Sequence, residues 1–179
     1  MLKNDQICLL EPGEVAAKAI VNYYKRNKEF LREYEPERAA EFYDLDYQER
    51  LLEREKKEVK NRMAFHFYIA EKAAPDRVIG MVRLTNVIWG NFRSAFLGYK
   101  LDKDCLNRGY MTMAVTMVTN YVFSEFDLHR IEANIMPRNK RSLRVAEKCG
   151  FREEGVAQKY LKINGVWEDH VHMVRLNED

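Results

Sequence analysis

The chain has 179 residues, 46% of them hydrophobic and 32% charged, which suits one domain with a single sizeable core and excludes a disordered chain. Thirty basic residues against 28 acidic ones leave a net charge of +2, which gives no general attraction to nucleic acid or to an anionic membrane. Three cysteines (Cys8, Cys105, Cys149) are an odd number with no CxxC pair, so reduced thiols in a cytoplasmic protein are expected in place of a disulfide scaffold. The first 15 residues lack the apolar stretch of a signal peptide, and no apolar run approaches the roughly 20 residues of a membrane span.

In chain order, residues 7–10 are a short apolar run that predicts a strand. A helix is predicted over residues 14–26, after the breaker Pro12-Gly13, and a second from about 47 to 61. Between them the chain is dense in Glu, Arg and Lys. The run at residues 53–62 interleaves opposite charges, so both helices are expected to be solvated. Three strands follow over residues 64–71, 77–88 and 92–101, close enough together for an antiparallel meander.

After Gly109 the apolar period becomes 3.6: Tyr110, Met113, Ala114, Met117, Val118 and Tyr121 share one helix face. Residues 130–136 read as a strand. Residues 139–149 read as a helix closed by Gly150, with Phe151 placed to fold back on the last turn. Asn164-Gly165 sits between residues 160–163 and 166–169 and is a strong hairpin signal, because both turn residues need positive φ. The order of elements is that of an α+β or α/β chain with one mixed sheet.

A strand-to-helix turn over residues 106–111 leaves helix N–H groups unpaired at the positive end of the dipole, an arrangement that binds phosphate. Gly109 allows close approach, and Arg108 offers a charged donor. Alone this turn is weak evidence, being neither a Walker loop nor a dinucleotide fingerprint.

With its surroundings it says more. Leu106-x-x-Gly109-x-Met111 resembles the pyrophosphate loop of the GNAT N-acetyltransferases, usually written R/Q-x-x-G-x-G/A, with Leu106 and Met111 as departures. Asn139-x-x-Ser142, followed by Glu147-Lys148-x-Gly150-Phe151, resembles the second GNAT block. Gly109-Tyr110-Met111-Thr112, Met136-Pro137-x-Asn139-Lys140-Arg141-Ser142, Phe96 to Tyr99 and Gly165-x-Trp167-x-Asp169-His170 are similar to the RimJ/RimL branch, the ribosomal-protein-alanine N-acetyltransferase type. The similarity is tight over residues 92–173 and loose before residue 62.

The resemblance implies a single GNAT domain over residues 1–179, an α/β sandwich. Its mixed, mostly antiparallel sheet would be flanked by helices and would splay between the family's fourth and fifth strands. It implies acetyl-CoA as cosubstrate. Backbone groups of Tyr99 to Leu101 would pair with the pantetheine arm. Arg108, Gly109, Tyr110, Met111 and Thr112 would take the pyrophosphate. Asn139 would steady the pantetheine, and Arg144 and Lys148 would reach the adenosine phosphate. Many family members place a tyrosine seven residues after the motif asparagine as the acid for the leaving thiolate. That position is Ala146 here, so the role passes to Ser142.

An α-amine, with a pKa near 8, needs only a weak base, and Glu132 on a central strand is the candidate, beside an equal structural reading. Glu168 and Asp169 are weaker candidates. His66 and His129 are expected to be structural, and no metal is expected, because His170 and His172 share a strand face without a third ligand. The acceptor expected from the resemblance is the N-terminal α-amine of a ribosomal protein. The alternatives are a small amine (polyamine, amino acid or antibiotic) or a non-catalytic acetyl-CoA-binding module. The related folds also admit a homodimer.

Overall fold

The computed structural model describes residues 2–177. These form strands β1 (Leu2–Lys3) and β2 (Ile7–Leu10), helices α1 (Ala17–Leu31) and α2 (Leu45–Lys60), and strands β3 (Phe65–Glu71), β4 (Ala74–Ile88) and β5 (Ser94–Leu101). Helix α3 (Tyr110–Phe126), β6 (Arg130–Ile135), α4 (Lys140–Lys148), β7 (Arg152–Ile163) and β8 (Val166–Leu176) complete the chain. Short 3-10 turns at Ala40–Tyr43 and Lys103–Cys105 precede α2 and the turn into α3.

The described residues make one eight-stranded sheet in the order β1-β2-β3-β4-β5-β6-β8-β7. It is antiparallel throughout except where β5 runs parallel to β6. Both faces of its first half are covered, which is why β2 and β3 read as continuous apolar runs. Ile7, Leu9, Phe67 and Ile69 pack toward α3, while Cys8, Leu10, Tyr68 and Ala70 pack toward α1.

Several boundaries move from those the sequence predicts. Helix α1 starts three residues later and runs to Leu31, burying Ile20, Tyr23, Tyr24, Asn27 and Leu31. Helix α2 is not a wholly wet helix either. Gln48, Leu52 and Glu55 form a buried stripe at i, i+4 and i+7. Gln48 donates to the Phe42 carbonyl at 2.6 Å. Glu55 accepts from the Tyr68 hydroxyl at 2.6 Å and lies 2.8 Å from the Arg83 guanidinium. The stripe is hidden from a hydropathy reading because two of its three members are polar, Glu55 being bonded from the sheet and Gln48 from the turn before α2. The hairpin is also far longer than the run flanking its Asn-Gly turn. Asn164 (φ 47°) and Gly165 (φ 88°) do form that turn.

The end of α4 follows the expected left-handed cap. Gly150 has φ 83°, its N–H donates to Glu147, and the Phe151 N–H donates to Ala146, so the freed carbonyls of the last turn are satisfied.

The feature that positions the site is the parallel pair at the centre of the sheet. Strands β5 and β6 are in register only at Ser94–Arg130, Ala95–Ile131 and Phe96–Glu132. Beyond Phe96, β5 stays paired with β4 as far as Leu101, and β6 stays paired with β8 as far as Ile135. Their facing edges separate, so a wedge opens between the C-terminal halves of two well-anchored strands.

Candidate active site

A cleft of about 520 Å³ occupies that wedge. Residues 97–101 of β5 form one wall, and Asn134, Ile135 and Met136 form the other. Its floor includes the turn into α3, and α4 contributes Ser142, Arg144, Val145 and Lys148 along the rim. The far end is bounded by Tyr34, Glu35 and Pro36 after α1, and by Leu161, Ile163 and His170 of the hairpin.

The turn into α3 is held from behind. Asp102 is fully buried, 2.5 Å from Arg26 Nε, and its other oxygen accepts from the Asp104 N–H at 3.1 Å. Burial pushes its carboxyl up, but the Arg26 and backbone hydrogen bonds outweigh this and hold it below the usual carboxylate range. Asn27 Oδ1 accepts from the Lys103 N–H at 3.0 Å, tying the same turn to α1. Asn107 (φ 62°) and Gly109 (φ 78°) then reverse the chain in left-handed conformations. The Met113 N–H donates to the Gly109 carbonyl, so the N–H groups of Tyr110, Met111 and Thr112 precede the helical ladder. The first turn of α3 carries no acidic residue. This end of the cleft therefore suits an anion.

Asn139 caps α4, its Oδ1 accepting from the Ser142 N–H at 3.2 Å. The Ser142 hydroxyl donates to the Tyr99 phenol oxygen at 3.0 Å, and the phenol donates to the Ser142 carbonyl at 2.8 Å. Burial pushes the Tyr99 hydroxyl well above its ordinary pKa, so it stays protonated. The two hydroxyls bridge the wedge from β5 to α4, where the walls are closest to the anion end.

Of the residues expected at the site, Tyr99, Leu101, Gly109, Tyr110, Met111, Thr112, Asn139, Ser142, Arg144 and Lys148 all line the cleft. Two do not. The Arg108 side chain reaches Glu71 at 3.4 Å and the Asp104 carbonyl at 3.1 Å, bracing the turn from outside. Glu132 is held by Arg130 at 2.9 Å and by His172 Nδ1 at 2.6 Å. Burial raises its carboxyl, but those bonds more than offset this and hold it below the usual range, which suits a structural anion better than a base.

Three contributions escaped the sequence reading: the Tyr99 hydroxyl, the Lys100–Glu35 ion pair at 2.6 Å, and the imidazole of His170. Each depends on where the chain folds back on itself, Tyr99 meeting α4, Lys100 meeting the segment after α1, and His170 meeting the cleft, which no local spacing encodes. Cys105 and Cys149 are buried, and burial pushes both thiols up, away from the nucleophilic thiolate. Among the described residues no group of His, Cys, Asp and Glu could hold a metal ion, and no helix is long and apolar enough to cross a membrane.

A mixed sheet split between its parallel strands, with a helix N-terminus suited to an anion at the mouth of the split, is the fold of the GNAT acetyltransferases. The chain belongs to the acetyltransferase (GNAT) domain family, whose model matches residues 7–152, and it is an acetyl-CoA-dependent acyltransferase. It is 42% identical over 180 residues to the "Probable N-acetyltransferase YjcK" of Bacillus subtilis, covering 100% of this chain and 98% of that one. It is 36% identical over 155 residues to the [ribosomal protein uS5]-alanine N-acetyltransferase of Escherichia coli, covering 85% and 78%. Among solved structures, the ribosomal-protein-S5-alanine acetyltransferase of Vibrio fischeri superposes with a TM-score of 0.92 at 33% identity, covering 100% of this chain and 97% of that one.

Proposed function

We propose that this N-acetyltransferase modifies the N-terminal α-amine of a ribosomal protein in the cytoplasm. The observation that carries the reading is the charge of the cleft. Its lining holds four cations (Lys100, Arg141, Arg144, Lys148) and one carboxylate, Glu35, which Lys100 already neutralises. A polyamine brings several positive charges that need several free carboxylates. An α-amine at a chain end brings one, and the peptide behind it can run out over the exposed Leu161 and Trp167. The similarity to uS5-alanine acetyltransferases over most of the chain supports the same choice.

The residues fit acetyl-CoA as cosubstrate. The N–H groups of residues 110–112 face the anion end, and Arg144 and Lys148 stand at the rim for further phosphate. Backbone groups on the free edge of β5, from Tyr99 to Leu101, are available for strand-like pairing with an extended amide chain. Bound there, acetyl-CoA supplies an activated acetyl group. The protein orients it and offers the Ser142 hydroxyl, which turns from the Tyr99 oxygen that accepts its hydrogen here, as the hydrogen-bond donor for the departing sulfur.

Thiol release from acetyl-CoA tests the reading, with a ribosomal peptide starting in Ala or Ser set against a panel of polyamines and amino acids. Turnover is expected with the peptide. Turnover with the small amines alone would remove the ribosomal substrate while keeping the reaction, and binding of acetyl-CoA without turnover would make the domain a non-catalytic module.

A further inference from the structure

The acceptor end of the cleft lacks the base expected there, since Glu132 is engaged elsewhere. His170 lines that end of the cleft with one ring nitrogen anchored and the other, Nε2, without a hydrogen-bond partner among the described residues. We infer that His170 Nε2 accepts the proton that the incoming α-ammonium must lose, an inference that rests on the α-amine reading above.

His170 lies on β8, is 4% exposed, and lines the cleft beside Asn134, Leu161 and Ile163. Its Nδ1 is 3.1 Å from the Glu168 carbonyl oxygen. A carbonyl only accepts, so Nδ1 carries the hydrogen in the neutral ring and the lone pair is on Nε2. Among the described residues no side chain or backbone group bonds Nε2. The ring is fixed by the Tyr160 ring, 5.4 Å away, and Tyr160 is itself held by Asn134 Nδ2 at 3.2 Å. The arrangement is a histidine with one nitrogen anchored, its plane fixed by an aromatic neighbour, and its second nitrogen left for a ligand.

The charges around it are compatible with that role. On its own strand, the Glu168 carboxylate is 3.0 Å from Arg138, and His172 is bound to Glu132. Tyr160 faces it from β7, and Asn134 is uncharged. Across the cleft, Glu35 and Lys100 neutralise one another. From α4, Arg141, Arg144 and Lys148 line the same cleft, Arg144 lying 3.0 Å from Glu147 and Arg141 over the Phe30 ring, and none of the three hydrogen-bonds the imidazole. In the step, one ammonium N–H bond breaks and one Nε2–H bond forms. The amine keeps the electron pair it will use, and the proton then passes to solvent through the cleft.

The test is the pH dependence of kcat/KM with an Ala-starting peptide, for the wild type and for His170→Asn. The asparagine amide still donates to the Glu168 carbonyl but offers no base. The expected loss is about 100-fold at pH 7, the lower bound for removing a positioned base. It should shrink to about 10-fold or less near pH 9, where an α-amine with pKa near 8 is largely neutral already. Acetyl-CoA affinity should stay within a few-fold. A loss of the same size at every pH, or no loss, overturns the inference. Should the variant not fold, ring-nitrogen NMR of the wild type decides: a hydrogen on Nδ1 supports the assignment and a hydrogen on Nε2 overturns it. Failure of the substrate reading is separately visible, as wild-type turnover of small amines only, and the same profile is then measured on such an amine.

Discussion

Gly109→Ala isolates the anion end of the cleft. Gly109 has φ 78°, and a Cβ built on it meets only Met113 Cε, at 3.4 Å, which is the movable end of a flexible side chain. The cost is therefore almost entirely the backbone, about 1–2 kcal/mol for an L-residue in the left-handed region. Against a total stability of about 5–15 kcal/mol the protein remains folded, and Tm falls by about 2–8 °C for a chain of this size. Relief of that strain rotates the peptide planes that aim the N–H groups of residues 110–112. One lost hydrogen bond to a charged oxygen is worth about 1.5–3 kcal/mol. Coenzyme A should then bind about 10- to 150-fold more weakly by calorimetric titration. Pantetheine, which lacks the diphosphate, should bind as it does to the wild type. Equal weakening of both ligands, or unchanged coenzyme A binding alongside the drop in Tm, would refute the assignment of this turn to the diphosphate.

Three further outcomes follow from the geometry. Ser142→Ala should lower kcat by about 10- to 150-fold with acetyl-CoA affinity nearly unchanged, because it deletes the hydroxyl that turns to the charged sulfur, while Tyr99→Phe, which removes only the acceptor that holds this hydroxyl, should cost less; wild-type kcat in Ser142→Ala would remove the hydroxyl from the reaction. Asn164→Gly keeps the left-handed turn but deletes the bonds from Asn164 to the Arg32 carbonyl, the Glu35 carbonyl and the Glu37 N–H. The segment carrying Glu35 should loosen, so KM for the peptide should rise several-fold while acetyl-CoA affinity holds, and steady-state kinetics read both. Asp102 has a folded pKa held below its unfolded value near 3.9, so its contribution is fully present above about pH 4 and is lost as pH falls through the lowered value. Urea unfolding of Asp102→Asn should show a lower stability at pH 7 and a shallower decline toward pH 3 than the wild type.

The sequence was most informative where local chemistry decides the structure. Gly109, Gly150 and Asn164-Gly165 each sit where the backbone must take positive φ, and the 3.6 period after Gly109 gives α3 directly. The motif around Asn139 marked both a cap and a cleft wall, because the side chain that closes α4 also sets the position of Ser142. What stayed hidden is long-range. The buried stripe of α2 is polar, so its partners Tyr68 and Arg83 had to be seen before Glu55 could be read as interior. Glu132 stood equally as base and as structural anion in the sequence, because Arg130 and His172 reach it from its own strand and from β8, 40 residues away. His170 carried no signal beyond its share of a strand face. Its anchored nitrogen depends on the conformation of β8, and its exposure to the cleft depends on the separation of β5 and β6.

One ribosomal peptide with both a free N-terminus and an internal lysine tests the acceptor nitrogen directly. It is incubated with the enzyme and acetyl-CoA, and the product is fragmented in a mass spectrometer. A single acetyl group on the α-nitrogen of the first residue is expected. An acetyl group on the lysine side chain, or an unmodified peptide under conditions where a polyamine is acetylated, would contradict it.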